Sequence, residues 1–179
     1  MPERYHPIQV VLHWLSALLI VFTLAMGTLS LKHIPNADAA HKIFALKGHM
    51  AVGLAIAFIV VLRLALRLSL EQPAPATSGN PWLDRLARVV HAALYLGVLA
   101  MAASGLALAV QAGLPGIVFG GSPAPLPESF WDYAPRRVHG AIAKLLLALV
   151  ALHAGAALFH QFVRRDGLMR RMGLGRPGA

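Results

Sequence analysis

The chain has 179 residues, 58% of them hydrophobic and only 13% charged, with a mean hydropathy of +0.65; that profile is far from a soluble globular domain. Its net charge of +9 does not read as a nucleic-acid face, because the basic residues lie between apolar runs with no interleaved aromatics. The absence of cysteine excludes disulfides, thiolate metal sites, iron–sulfur clusters and covalently attached c-type haem.

In chain order, residues 5 to 31 contain no Asp, Glu, Lys or Arg, a run longer than the ~20 residues a spanning helix needs. A cleaved leader would have an apolar core of only ~7–15 residues ending in a small-residue site. This run is longer and carries His13 beside Trp14, so a retained first helix is expected. Lys32 to Lys47 reads as a short polar connection with a turn at Pro35 and Asn36. A second helix follows, with His49 at its start and Arg63 and Arg67 at its end, where both can snorkel to the membrane surface. Glu71 to Pro81 is a loop by composition, and His91 lies near the start of the third helix. The longest connection, Gly113 to Pro135, ends in Phe130, Trp131 and Tyr133, a cluster suited to a membrane–water interface.

The fourth helix carries His139 and His153, fourteen residues apart. That spacing rises ~21 Å and returns to within ~40° of the same face. A basic tail of Arg164, Arg165, Arg170, Arg171 and Arg176 closes the chain. The expected fold is all-α: one transmembrane four-helix bundle over residues 1–179, with helices at about 8–31, 48–66, 86–112 and 138–163. Four spans put both termini on one side. Ten basic residues fall on that side and five on the other, so the positive-inside rule places both termini in the cytoplasm.

That topology sorts the histidines by depth. His49 and His139 form a level near the outer surface, and His13 and His153 form one near the cytoplasmic surface. Ionisable groups in a span are costly and mark function. Two levels of paired imidazoles suit two six-coordinate haems in a bundle core. Gly48, Gly53, Gly140, Ala154 and Gly155 flank the candidates; such small residues let a flat macrocycle approach, and they serve ordinary helix packing equally. A metal-ion transporter would add buried carboxylates, but all seven acidic residues lie in loops or tails. Depth alone does not fix the partner of His153, because His91 and His160 also fall toward the cytoplasmic side. His160 is also a candidate proton donor beside a quinone, with an interfacial histidine as the plainer reading. Arg136, Arg137, Lys42 and Lys47 are candidates for attracting an anion to the outer surface, and Lys144 is expected to snorkel.

Several segments resemble bacterial cytochrome b561: Arg-Tyr-His-Pro-Ile-Gln-Val-Val-Leu-His-Trp-Leu at the start, Gly-His-Met-Ala-Val-Gly-Leu, Val-Val-His-Ala-Ala-Leu-Tyr, Val-His-Gly, Leu-His-Ala-Gly-Ala-Ala-Leu-Phe-His and Arg-Asp-Gly-Leu-Met-Arg-Arg-Met. The resemblance implies a multi-pass protein of the bacterial inner membrane holding two non-covalent haem b groups. It implies His13 with His153 and His49 with His139 as axial ligands. Members of the family include superoxide oxidase, which passes electrons from periplasmic superoxide to ubiquinone. Others are electron-transfer cytochromes, and related di-haem proteins are fed by a dehydrogenase or hydrogenase partner. Two readings therefore stand: an enzyme acting on superoxide, and an electron-transfer subunit with a periplasmic redox partner.

Overall fold

The computed structural model describes residues 2–174; Arg176 of the basic tail lies outside the described residues. Four long helices make the fold: α1 (Pro7–Ala25), α2 (Ala39–Ser69), α3 (Pro81–Gln111) and α5 (Ala134–Phe159), with the short α4 (Leu114–Val118) between the last two. All four long helices are apolar and long enough to cross a membrane. π-helical turns prolong α1 over Met26–Ser30 and α5 over His160–Arg164.

The helices begin earlier than hydropathy indicates. The expected connection from Lys32 to Lys47 is helical from Ala39 onward, and α3 and α5 start five and four residues sooner than expected. Local chemistry explains the starts. Asn80 accepts a hydrogen bond from the Trp82 N–H at 2.9 Å, with Pro81 at the first helical position, where its fixed φ and missing N–H cost nothing. His6 and Pro7 open α1 the same way, the His6 Nδ1 accepting from the Ile8 N–H. A helix of 31 residues such as α2 or α3 is about 46 Å long, against a hydrocarbon core of about 30 Å. Its ends stand in water, so the apolar run marks only its middle. The expected loop from Gly113 to Pro135 also contains α4 and a 3-10 turn at Phe130–Asp132. Gly113, at φ 65°, takes the left-handed conformation that ends α3 and admits glycine readily.

α1 packs along α2, and α3 along α5. A central apolar cluster of Leu24, Ile56, Val60, Val98 and Leu146 ties all four together. Leu146 is 2% exposed and rests against Gly97, where an added Cβ would lie 2.8 Å from its Cδ2. Leu146 is seven residues from both His139 and His153, so the cluster separates the two histidine levels. A second cluster, Leu46, Ala109, Ala112, Leu114 and Val118, caps the end away from the termini. Leu18, Phe22, Phe58, Leu96 and Val110 are exposed, as expected of faces turned to lipid. The chain ends meet at one pole: the Tyr5 N–H donates to the Arg171 carbonyl and the Trp14 indole N–H to that of Met172 at 2.9 Å.

Candidate functional site

Two pairs of imidazoles face each other across the bundle. On the loop side, away from the termini, the His49 and His139 ring centres are 6.1 Å apart with planes at 70°. On the termini side, His13 and His153 are 6.2 Å apart at 68°. A metal–imidazole bond of about 2.0–2.1 Å, plus about 1.1 Å from nitrogen to ring centre, puts two trans imidazoles on one ion about 6.3 Å apart. Both pairs match that span. His91 is the other candidate partner of His153, but its ring centre is only 5.1 Å away, too near for the two to sit trans on one iron. His160 is engaged elsewhere: its Nδ1 pairs with the Asp166 carboxylate beyond the π-helical turn.

The loop-side pair is cradled by glycine. A Cβ at Gly105 in α3 would lie 3.1 Å from the His139 Cε1, and one at Gly27 would lie 3.4 Å from the His49 Cε1. A side chain at Gly105 would crowd the His139 ring, while one at Gly27 would touch the His49 ring at ordinary contact distance. His139 Nδ1 lies 3.0 Å from the Ser104 Oγ, whose own hydrogen goes to the Met101 carbonyl at 2.9 Å. Ser104 must therefore accept, the proton sits on Nδ1, and His139 Nε2 is left with its lone pair free. His49 Nδ1 is buried without a hydrogen-bond partner. A neutral ring set in this way fits haem iron, and fixing one nitrogen so that the other can ligate is the usual second-shell device.

The termini-side pair is finished with charge. Arg63, expected to snorkel, turns inward instead: its Nη1 donates to the Ser16 Oγ at 2.6 Å and its Nη2 to the His13 Nδ1 at 2.9 Å. Its guanidinium also lies 5.6 Å from the Tyr95 ring centre. Ser16 is fully buried and follows His13 by one turn, so α1 presents both to α2. Trp14 packs edge-on to His13 at 5.2 Å.

Around the loop-side mouth, Arg136 lies 4.5 Å over the Trp131 ring, Lys47 is 5.9 Å from the Phe119 ring centre, and Arg137 is exposed. Lys42 is not part of that rim. It is 5% exposed, and its ammonium donates to the Leu31 and Ile34 carbonyls at 2.9 and 2.8 Å, closing the chain end that follows α1. Lys144 is exposed on α5. Asp166 lies outside the spans. Burial pushes its carboxyl up, but hydrogen bonds from His160 and the Leu168 N–H, with Arg164 nearby, outweigh this and hold it below the usual carboxylate range.

Sequence reasoning placed Arg63 at the membrane surface and overlooked Ser104, Gly27 and Gly105. A serine and glycines within apolar spans were the available signals. Which helix each would face is a tertiary fact.

The model of the prokaryotic cytochrome b561 family matches residues 4–175. The chain is 32% identical over 177 residues to cytochrome b561 homolog 2 of Escherichia coli, covering 96% of this chain and 92% of that protein. It is 27% identical over 172 residues to cytochrome b561 homolog 1 of the same organism, covering 95% and 97%. The probable superoxide oxidase CybB of Yersinia pestis is 27% identical over 174 residues, with 96% and 97% covered. Four apolar helices, paired imidazoles and a family match over nearly the whole length agree: the chain belongs to the prokaryotic cytochrome b561 family of membrane electron-transfer proteins.

Proposed function

We propose that the chain is a two-haem electron conduit of the bacterial inner membrane that takes electrons from superoxide on the periplasmic side and delivers them to ubiquinone. The observation that carries this reading is the stacking of two imidazole pairs, 6.1 and 6.2 Å between ring centres, on the fourteen-residue spacing of α5. His49 and His139 would hold one haem b, and His13 and His153 the other. Each bound haem supplies a one-electron site. Held by two imidazoles, a haem would offer no open position to oxygen, and a small donor would give up its electron at the haem's edge.

The excess of arginine at the termini pole supports cytoplasmic termini, which turns the loop-side mouth to the periplasm. There Arg136, Arg137 and Lys47 surround the approach to His49 and His139. A superoxide anion loses one electron and leaves as dioxygen, and a cationic rim raises its encounter rate. The likeness to a protein named probable superoxide oxidase supports the same donor. At the other end, the Asp166 carboxylate accepts from His160 Nδ1 and leaves Nε2 to exchange a proton, which quinone reduction requires.

Mixing superoxide with the purified oxidised protein tests the reading. Haem reduction should be fast, slowed by salt, and slowed about tenfold when Arg136 and Arg137 are both changed to Gln. Slow reduction insensitive to salt would sink superoxide as the donor and favour a docking protein.

A further inference from the structure

Arg63 is a cation held inside a membrane bundle with no carboxylate partner among the described residues: the ion pairs there involve only Asp38 and Asp166. Its partners are a hydroxyl, an imidazole nitrogen and an aromatic face. A guanidinium has only donors to offer, so at 2.9 Å the His13 Nδ1 must accept, and the proton of the neutral ring sits on Nε2. If His13 holds haem through Nε2, the proton of the neutral ring sits on Nδ1, which then has nothing to accept with. Arg63 would have to let go.

Letting go leaves N–H donors of a permanent cation in a region where an unpaired charge is expensive. Ser16 and Tyr95 remain beside it but supply no negative charge. The ligand that displaces the contact carries the anion itself, because haem b bears two carboxylates. A planar guanidinium matches a carboxylate in two parallel hydrogen bonds. Arg63 stands beside His13, and its Ser16 and Tyr95 partners lie one helical turn further into the bundle, where no side-chain carboxylate of the described residues reaches it.

We infer that Arg63 is the binding residue for a propionate carboxylate of the haem at the termini-side level, and that it exchanges His13 for that carboxylate as haem enters. The inference rests on the proposed His13–His153 ligation. It assigns Arg63 to haem retention at one level only, because among the described residues no arginine hydrogen-bonds a ring of the loop-side pair.

The test is a chemical double-mutant cycle. Full-length protein in detergent is loaded with haem b or with haem b dimethyl ester, and loss of each haem to excess apomyoglobin is followed by absorbance. With native haem, Arg63→Gln should speed loss of one of the two haems by about tenfold to a hundredfold, as expected for a charge-assisted pair. Arg63→Lys should recover part of it. Esterification in the wild-type protein should cost the same haem a similar factor, and adding it to Arg63→Gln should cost nothing further. The wild-type comparison of the two haem forms needs no variant, so a poorly folding substitution leaves the test intact. Equal retention of ester and native haem, or an Arg63→Gln effect that is the same for both, would overturn the assignment while leaving two-haem binding in place. A wild-type protein that binds no haem at the His13–His153 level would overturn both.

Discussion

The two histidine levels share a ring separation and an angle, yet they are completed by opposite means. At the loop-side level the groups against the rings are small and neutral, and the cation Arg136 stands at the mouth. Gly27 and Gly105 let the rings lie against helix backbone, and Ser104 fixes His139 with Nε2 free. At the termini-side level the neighbours are large and polar: Arg63, Ser16, Tyr95, Trp14 and a third imidazole, His91. There the Arg63 guanidinium donates to His13 Nδ1. The first level sets its rings with a serine and glycine; the second sets His13 with an internal cation. Equal pairs of rings therefore do not make equal sites, and the difference lies in what meets Nδ1: a hydroxyl that accepts from His139, and a guanidinium that donates to His13.

The comparison can be broken most severely by removing one ligand at a time. His139→Ala should abolish fast reduction by superoxide while the termini-side haem remains chemically reducible. His153→Ala should leave the first electron transfer intact and abolish quinone reduction. Stopped-flow absorbance with each variant separates the two, and identical behaviour would deny that the levels act in series. Next in size is Gly105→Ala. Its methyl group would sit 3.1 Å from His139, an overpacking of the order of 1–3 kcal/mol, so faster loss of the loop-side haem alone is expected. Ser104→Ala should be milder, about 1 kcal/mol, and should appear as a shift in the loop-side haem's spectrum and potential with both haems retained.

The smallest effect concerns acid stability. The folded Asp166 carboxyl is held below its ordinary value, so its contribution is present above the unfolded value of about 3.9 and is lost as pH falls through the lower folded one. Asp166→Asn should remove that portion of the acid dependence, and should slow quinone reduction by freeing the His160 ring. A thermal melt series across acid pH, beside quinone-reduction rates, checks both.

Much of this architecture is legible without coordinates. Long apolar runs mark four spans because in lipid a single segment satisfies its own backbone hydrogen bonds only as a helix. The interval from His139 to His153 places two imidazoles at two depths because helical rise is fixed. Helix starts are less legible, since Ala39–Lys47, which carries His41, Lys42 and Lys47 ahead of the apolar run, is already helical. The surroundings of the rings are least legible of all. Arg63 looks like any arginine near the end of a span, and only its packing opposite His13 and Ser16 turns it inward. Lys42 looks like a mouth residue until its ammonium is found on the Leu31 and Ile34 carbonyls of the connection that follows α1. Gly27 and Gly105 resemble the other glycines of the spans, but they are the ones an imidazole lies upon.

The most direct test of the central claim is a reduced-minus-oxidised spectrum of the purified protein with haem counted per chain, beside His139→Ala and His153→Ala. Two b-type haems in the wild-type chain, with a different one lost in each variant, is the predicted result. No haem, or an unchanged count in both variants, would contradict the reading of the two imidazole pairs as axial ligands.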